Sequence, residues 1–213
     1  MDKKSLCFIL LFILLLFIVI VLFRLRKRPP AVNNRPPREA LPPEKEFGLR
    51  GERLATSILK RLLRNDDLLF TNVCISIDGR ETELDDVIVN KYGVFILEVK
   101  NYRGILFGTE DDEQWTKLHE SNGHNIYEKT VDNPIRQVKR QIYLLRKYLD
   151  YYDAGVWIEG YVIIIGTKPP VNSDYILLST SQTDKAIHTP GKQRLSKARI
   201  ERIADLLRSC CGK

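Results

Sequence analysis

The stretch "TELDDVIVNKYGVFILEVKN", Thr82–Asn101, sets two segments rich in β-branched and aromatic residues on either side of Lys91, Tyr92 and Gly93, the pattern of a β-hairpin. It also carries Glu83, Asp85, Asp86, Glu98 and Lys100, charges that a buried strand pair has no ordinary reason to hold. Residues two apart on a strand share a face, so Glu98 and Lys100 point one way while Phe95, Leu97 and Val99 point the other. A two-residue loop of Lys91 and Tyr92 pairs Asn90 with Gly93 and brings Asp85 opposite Glu98. A three-residue loop with Gly93 in the left-handed position sets Asp86 there instead. In either register an aspartate faces a glutamate.

Carboxylates directly opposite one another repel, and burial disfavours their ionised forms further. A divalent cation removes that conflict. Two carboxylates completed by waters and a substrate phosphate suit Mg²⁺ or Mn²⁺, with the backbone carbonyl of Val99 as a further candidate ligand. Lys100 then lies within reach of a metal-bound water and a scissile phosphate, where an ammonium orients the nucleophile and stabilises developing negative charge. The chemistry this spacing supports is phosphodiester hydrolysis. The competing reading places the acids at the solvated end of a sheet, with Lys100 in an ordinary cross-strand ion pair.

Ahead of the hairpin, Leu6 to Phe23 is an unbroken apolar run, "LCFILLFILLLFIVIVLF", about long enough to cross ~30 Å of hydrocarbon as a helix. It meets Arg24, Arg26, Lys27 and Arg28 directly, without a small-residue cleavage site, so a retained anchor is expected after a short tail of residues 1–5. Those cations, with Arg35 and Arg38, outnumber Lys3, Lys4 and the amino terminus on the other side, which places the carboxyl-terminal bulk in the cytoplasm. Residues 24–46 include six prolines among charges and small residues and form an expected extended tether. Of the formal net charge of +7, most sits beside this anchor: residues 1–47 hold 9 basic and 4 acidic side chains, residues 48–213 hold 25 and 23. The juxtamembrane cations suit the lipid bilayer, and the rest of the chain is nearly neutral. Cys7, Cys74, Cys210 and Cys211 form no metal-binding or disulfide pattern.

Residues 47–213 then read as one α/β domain. Leu54, Ile58 and Leu62, widened by Ala55 and Leu59, predict a helix from Gly48 to Arg64. "LLFTNVCISI" and the hairpin give three strands, and "ILFG" with "QWTKL" a shorter hairpin. Pro134 opens a second helix whose apolar residues Ile135, Val138, Ile142, Leu145 and Leu149 recur at helical spacing to about Tyr148. "VWIEGYVIIIG" reads as a central strand covered on both faces and "YILLST" as another strand. Ser196 caps a last helix, with Leu195 and Ile200 as its hydrophobic staple. A mixed central sheet flanked by helices follows.

Taken together, "GLRGERLA", "TELDDVIVNKYGVFILEVKNYRG", Trp115 and "NPIRQ" resemble the nuclease-related domain, a branch of the PD-(D/E)XK restriction-endonuclease-like superfamily, over residues 47–165. The resemblance implies the α/β restriction-endonuclease-like fold and a metal-dependent nuclease. It assigns Asp85 as acidic metal ligand and puts the Glu-x-Lys on Glu98 and Lys100, with Glu52 of "GE" and Gln137 of "NPIRQ" as supporting residues. The expected partner is nucleic acid, DNA before RNA. Arg50, Arg53, Arg136, Lys139 and Arg140, with Arg146 and Lys147, are candidates to track its phosphate backbone. A non-catalytic, membrane-anchored scaffold that binds nucleic acid or protein is the alternative from a different class.

Overall fold

The computed structural model describes residues 43–120, 126–191 and 193–210. The apolar run and the tether up to residue 42 lie outside them, and among the described residues no helix is long and apolar enough to cross a membrane.

Four helices and eight strands form a mixed α/β domain. Helix α1 (Pro43–Leu62) leads into β1 (Leu68–Ile77), β2 (Arg80–Asn90) and β3 (Gly93–Asn101), which pair antiparallel in sequence order. Strand β7 (Ile158–Ile165) then joins β3 in parallel, and the two-residue β8 (Ile176–Leu177) joins β7. The five-stranded sheet is therefore mixed, in the order β1-β2-β3-β7-β8. Between β3 and β7 the chain forms a second sheet of β4 (Ile105–Phe107), β5 (Gln114–Glu120) and β6 (Ile126–Asp132), followed by α2 (Pro134–Tyr151).

Each face of the large sheet has its own apolar layer. On one face Val87, Val89, Val94 and Ile96 pack with Ile135, Val138 and Leu145 of α2 and with Ile203 and Leu207 of α4 (Lys197–Arg208). On the other, Ile88, Phe95 and Leu97 pack with Leu59 of α1 and Ile187 of α3 (Thr180–His188). Covering both faces explains why β3 is apolar at successive positions rather than alternating. His188 lies between Asp67, 2.7 Å from Nε2, and Asp184, 2.6 Å from Nδ1, and so links α3 to the turn before β1.

Four expectations are corrected. Helix α1 begins at Pro43, so residues 43–46 are helical and not part of an extended tether. Its buried line is Gly51, Ala55 and Leu59, whereas Leu54 is 51% exposed. The short hairpin gains a third strand, β6, whose mostly exposed "IYEKTVD" has no apolar period to announce it. "YILLST" keeps only two residues as strand, because Ser179 caps α3 by accepting the backbone N–H of Gln182. The expected cap at Ser196 holds, receiving Arg199 N–H at the start of α4, and at the start of α2, where only Pro134 was singled out, Asn133 caps by receiving Ile135 N–H.

Asn133 has a wider role than a cap. Its side-chain amide donates to the carbonyls of Thr109 (3.2 Å), Glu110 (3.0 Å) and Asp112 (2.8 Å), fixing the β4–β5 turn to the start of α2. Asn133→Ala removes a cap and the amide that ties three turn carbonyls to α2, so thermal unfolding should show a loss of roughly 2–3 kcal/mol, on the order of 5–10 °C.

Candidate functional site

The hairpin adopts the two-residue loop: Asn90 pairs with Gly93, and the ladder runs to Asp86 opposite Leu97. Asn90 fixes that turn by accepting Tyr92 N–H at 2.8 Å while donating to the carbonyl of Ile187 at 2.9 Å. Because opposed residues share a face, Asp86 lies with Leu97 toward α1, where both its oxygens accept the Thr56 hydroxyl, at 3.1 and 3.2 Å. Asp85 lies one residue beyond the ladder, where it lines a cleft with Glu52 and Thr56 of α1. Past the last ladder pair its carboxylate, rather than a strand carbonyl, accepts the Val99 N–H, at 2.9 Å.

Glu98 is 1% exposed and carries three donors. Gln137 Nε2 and Lys100 Nζ each lie 2.6 Å from Oε1, and Gln141 Nε2 lies 2.6 Å from Oε2. Gln141 Nε2 also reaches the carbonyl of Glu83 at 3.1 Å, while its Oε1 is buried and without a hydrogen-bond partner among the described residues. Gln141 is absent from the residues expected at the site. Its signal was present: it follows Gln137 by four positions, one turn further along the same helix face.

Glu52 arrives from the opposite side on α1. At Gly51 an added Cβ would collide with Asn101 Cβ, so only glycine lets α1 come this close to the end of β3. Asn101 Nδ2 donates to the carbonyl of Phe47 at 2.9 Å and locks the approach. Glu52 lines two clefts: one of about 410 Å³ shared with Lys100, and one of about 420 Å³ shared with Asp85, Arg53 and Thr56.

The electrostatics follow from too many carboxylates in too little water. Burial, and then the charge of Glu98, push Asp85 up to about 7. Burial likewise raises Glu52, with Glu83 and Glu98 adding to it and Lys100 opposing it. Asp86, on the other face, rises to about 6 through burial. For Lys100 burial disfavours the ammonium, but the charge and hydrogen bond of Glu98 more than offset it and its pKa is raised. Lys100 is therefore a fixed cation and not a base at neutral pH.

Asp85 and Glu98 are hard oxygen donors whose mutual repulsion a cation would relieve. Among the described residues no three His, Cys, Asp or Glu side chains group to hold a metal. Mg²⁺ is commonly held by one or two carboxylates plus waters and phosphate oxygens, and by the chemistry of their oxygens Asp85 and Glu98 would be the holders of such an ion, with the orphaned Gln141 Oε1 beside Glu98.

The expected nucleic-acid contacts are dispersed. Arg50 pairs with Glu46 at 2.6 Å, Lys139 with Glu110 at 2.8 Å and Arg146 with Asp150 at 3.9 Å. Lys147 pairs with Asp78 at 2.8 Å and Arg136 with Glu113 at 3.6 Å, while Arg140 donates to the carbonyl of Glu81 at 3.2 Å. Arg53 lines the cleft that holds Asp85 and Glu52.

A family model described as the nuclease-related domain matches residues 47–165, which contain Glu52, Asp85, Glu98, Lys100 and Gln137. An uncharacterized protein of Bacillus anthracis is 30% identical over 98 residues, 45% of this chain and 43% of the relative, so the match spans less than half of that protein. No solved structure matches.

Two outcomes follow from the site. In the unfolded chain Asp85 loses its proton near 3.8, whereas in the fold it keeps it to about 7. Between those values the folded state binds more protons, so raising the pH lowers stability. With chelator present, the thermal midpoint should fall as pH rises from about 4 to about 7, and Asp85→Asn should flatten most of that slope, leaving the smaller share of Asp86 and Glu52. Gly51→Ala should lower stability by roughly 1–3 kcal/mol in chemical denaturation, because Asn101 Cβ, fixed to the end of β3, cannot move aside cheaply.

Proposed function

The chain belongs to the nuclease-related domain family, and on that premise we propose that it is a divalent-metal-dependent nuclease hydrolysing phosphodiester bonds of DNA or RNA. The observation that carries the reading is the clasped Glu98 beside the protonation-prone Asp85, with the fixed cation Lys100 at a cleft wall. A bound Mg²⁺ or Mn²⁺ would supply a Lewis acid for the phosphate and a nucleophilic water.

The chain's own residues do the rest. Asp85 and Glu98 would hold the ion, with the Val99 carbonyl as a further candidate ligand. Gln137 and Gln141 fix the Glu98 carboxylate in one orientation, so that its geometry does not depend on the ion's arrival. Lys100, charged and held 2.6 Å from Glu98, faces the cleft that Glu52 also lines and can stabilise negative charge on a phosphate there. Glu52, raised in pKa, is placed to exchange a proton with water or a leaving oxygen.

The apolar run at 6–23 and the cations after it support a single-pass protein with this domain on the cytoplasmic side. Its bilayer contact would confine cleavage to nucleic acid near the membrane surface.

One observation favours the scaffold reading: every oxygen of Glu98 already has a protein donor. Cleavage assays with labelled DNA and RNA decide between them. Mg²⁺ or Mn²⁺ should activate cleavage, and Lys100→Ala and Glu98→Gln should each reduce it by about 10²-fold or more. Absence of metal-dependent cleavage over single-stranded, duplex and structured substrates, with no metal binding by calorimetry but retained nucleic-acid binding, would establish the scaffold instead.

A further inference from the structure

Helix α1 forms one wall of the cleft that holds Asp85, and its cations there differ from those of α2. Arg53, Thr56 and Lys60 follow one another at three and four positions, so they share one face of the helix, and together they line this cleft of about 420 Å³. The hydroxyls on that face are already used: Thr56 donates to Asp86, and Ser57 donates to the carbonyl of Leu54 at 2.7 Å. Arg53 and Lys60 are exposed, and neither forms an ion pair or hydrogen bond with a protein group among the described residues. On α2, by contrast, Arg136, Lys139, Arg140 and Lys147 are each matched to a carboxylate or a carbonyl. The charge of Arg53 reaches Glu52, and that of Lys60 reaches Asp86.

The facing wall is distorted at one residue. The β1–β2 ladder pairs Thr71 with Asp86 and resumes at Val73 with Leu84, skipping Asn72 and Asp85. Asn72 holds a left-handed backbone, φ 52°, inside a strand of ten residues. For an L-residue that conformation costs roughly 1–2 kcal/mol, and asparagine is one of the few that adopt it. Its Nδ2 donates to Glu83 Oε1 at 3.1 Å, which uses one of two amide hydrogens. Strain at the position opposite Asp85, on the wall of the same cleft, marks backbone shaped for a ligand rather than for strand pairing.

We propose that this cleft seats the sugar–phosphate backbone of the nucleic acid, with Arg53 and Lys60 on two of its phosphates and the remaining amide hydrogen of Asn72 as a third donor. Seven residues of helix separate the two cations by about 10 Å along the axis, the rise of about three nucleotides on one strand, so each meets a different phosphate. Asp85 and Glu52 line the same cleft, so a backbone seated there lies against the acids of the site. Contacts of this kind fix position and register and do not read bases.

This inference rests on the nuclease reading for the identity of the polyanion, and binding measured without metal separates the two. The full-length chain in detergent, with chelator, is titrated over a range of salt with two fluorescent DNA oligonucleotides of unrelated sequence, each as a single strand and as a duplex. R53Q/K60Q should weaken binding about tenfold, and by the same factor for both sequences. Two lost phosphate contacts should lower the slope of log affinity against log salt by about 1.4 on single strands and about 1.8 on duplexes. R53K/K60R, which keeps both charges, should retain the wild-type slope, and so should the control R136Q/K139Q, whose cations are matched within the fold. The thermal midpoint of R53Q/K60Q should stay within about 2 °C of the wild type, because both side chains are exposed. No binding by the wild type, an unaltered slope in R53Q/K60Q, or an equal loss in R136Q/K139Q overturns the proposal. If the slopes change as expected while no metal activates cleavage, the phosphate seat stands and the hydrolytic reading falls; if metal-activated cleavage is found and R53Q/K60Q binds as the wild type does, the reverse holds.

Discussion

The carboxylate of Glu98 is the constraint around which the domain is arranged. An ionised side chain at 1% exposure is tolerated only when hydrogen-bonded and paired, and Glu98 meets both conditions by drawing on two elements. Lys100 supplies the charge from its own strand, while Gln137 and Gln141 supply amide donors from α2. Apolar packing of Ile135, Val138 and Leu145 brings α2 onto the sheet but tolerates small slides and rotations; two short hydrogen bonds to one carboxylate do not. Asn133 then sets where α2 starts, and its bonds to the Thr109, Glu110 and Asp112 carbonyls carry that registration into the second sheet.

The adjacent aspartates show how much depends on register. Asp86 turns toward α1 and Thr56, and Asp85 turns toward the Val99 N–H. A slip of one residue would exchange them, removing the hydrogen bond to α1 and the bond that continues the β2–β3 pairing. The two-residue turn, held by Asn90 through Tyr92 N–H and the Ile187 carbonyl, is what prevents it. A turn at one end of the hairpin thus decides the chemistry at the other.

Where hydrophobic period and polar demand agree, the sequence reveals the structure. The mixed sheet, the first three strands, the N-terminus of α2 at Pro134 and the Ser196 cap could all be read from apolar spacing and capping residues. The sequence left two loop registers open, and the structure selects the two-residue loop that turns Asp86 toward Thr56. The failures have physical causes. Leu54 shares the period of the α1 stripe, yet the close approach at Gly51 turns the helix so that Ala55 and Leu59 face inward. Strand β6 is held by its ladder to β5, a tertiary preference with no local period. Gln141 was overlooked because a glutamine beside an apolar stripe looks like surface until a buried carboxylate is placed opposite it.

The cationic residues mark the sharper limit of sequence reading. Counting lysines and arginines along α2 gives a basic helix, but each such charge must be discounted by the carboxylate or carbonyl that tertiary folding brings to it, as Glu110 is brought to Lys139 and Asp78 to Lys147. On the second sheet folding sets Lys117 opposite Lys129 at one wall of a cleft. At the neighbouring wall it concentrates negative charge, with Glu98 raising the pKa of Asp85. The crowding of Asp85 and Glu98 is unfavourable to the isolated fold, because burial and mutual repulsion both disfavour their ionised forms, and a cation bound between them would relieve that cost.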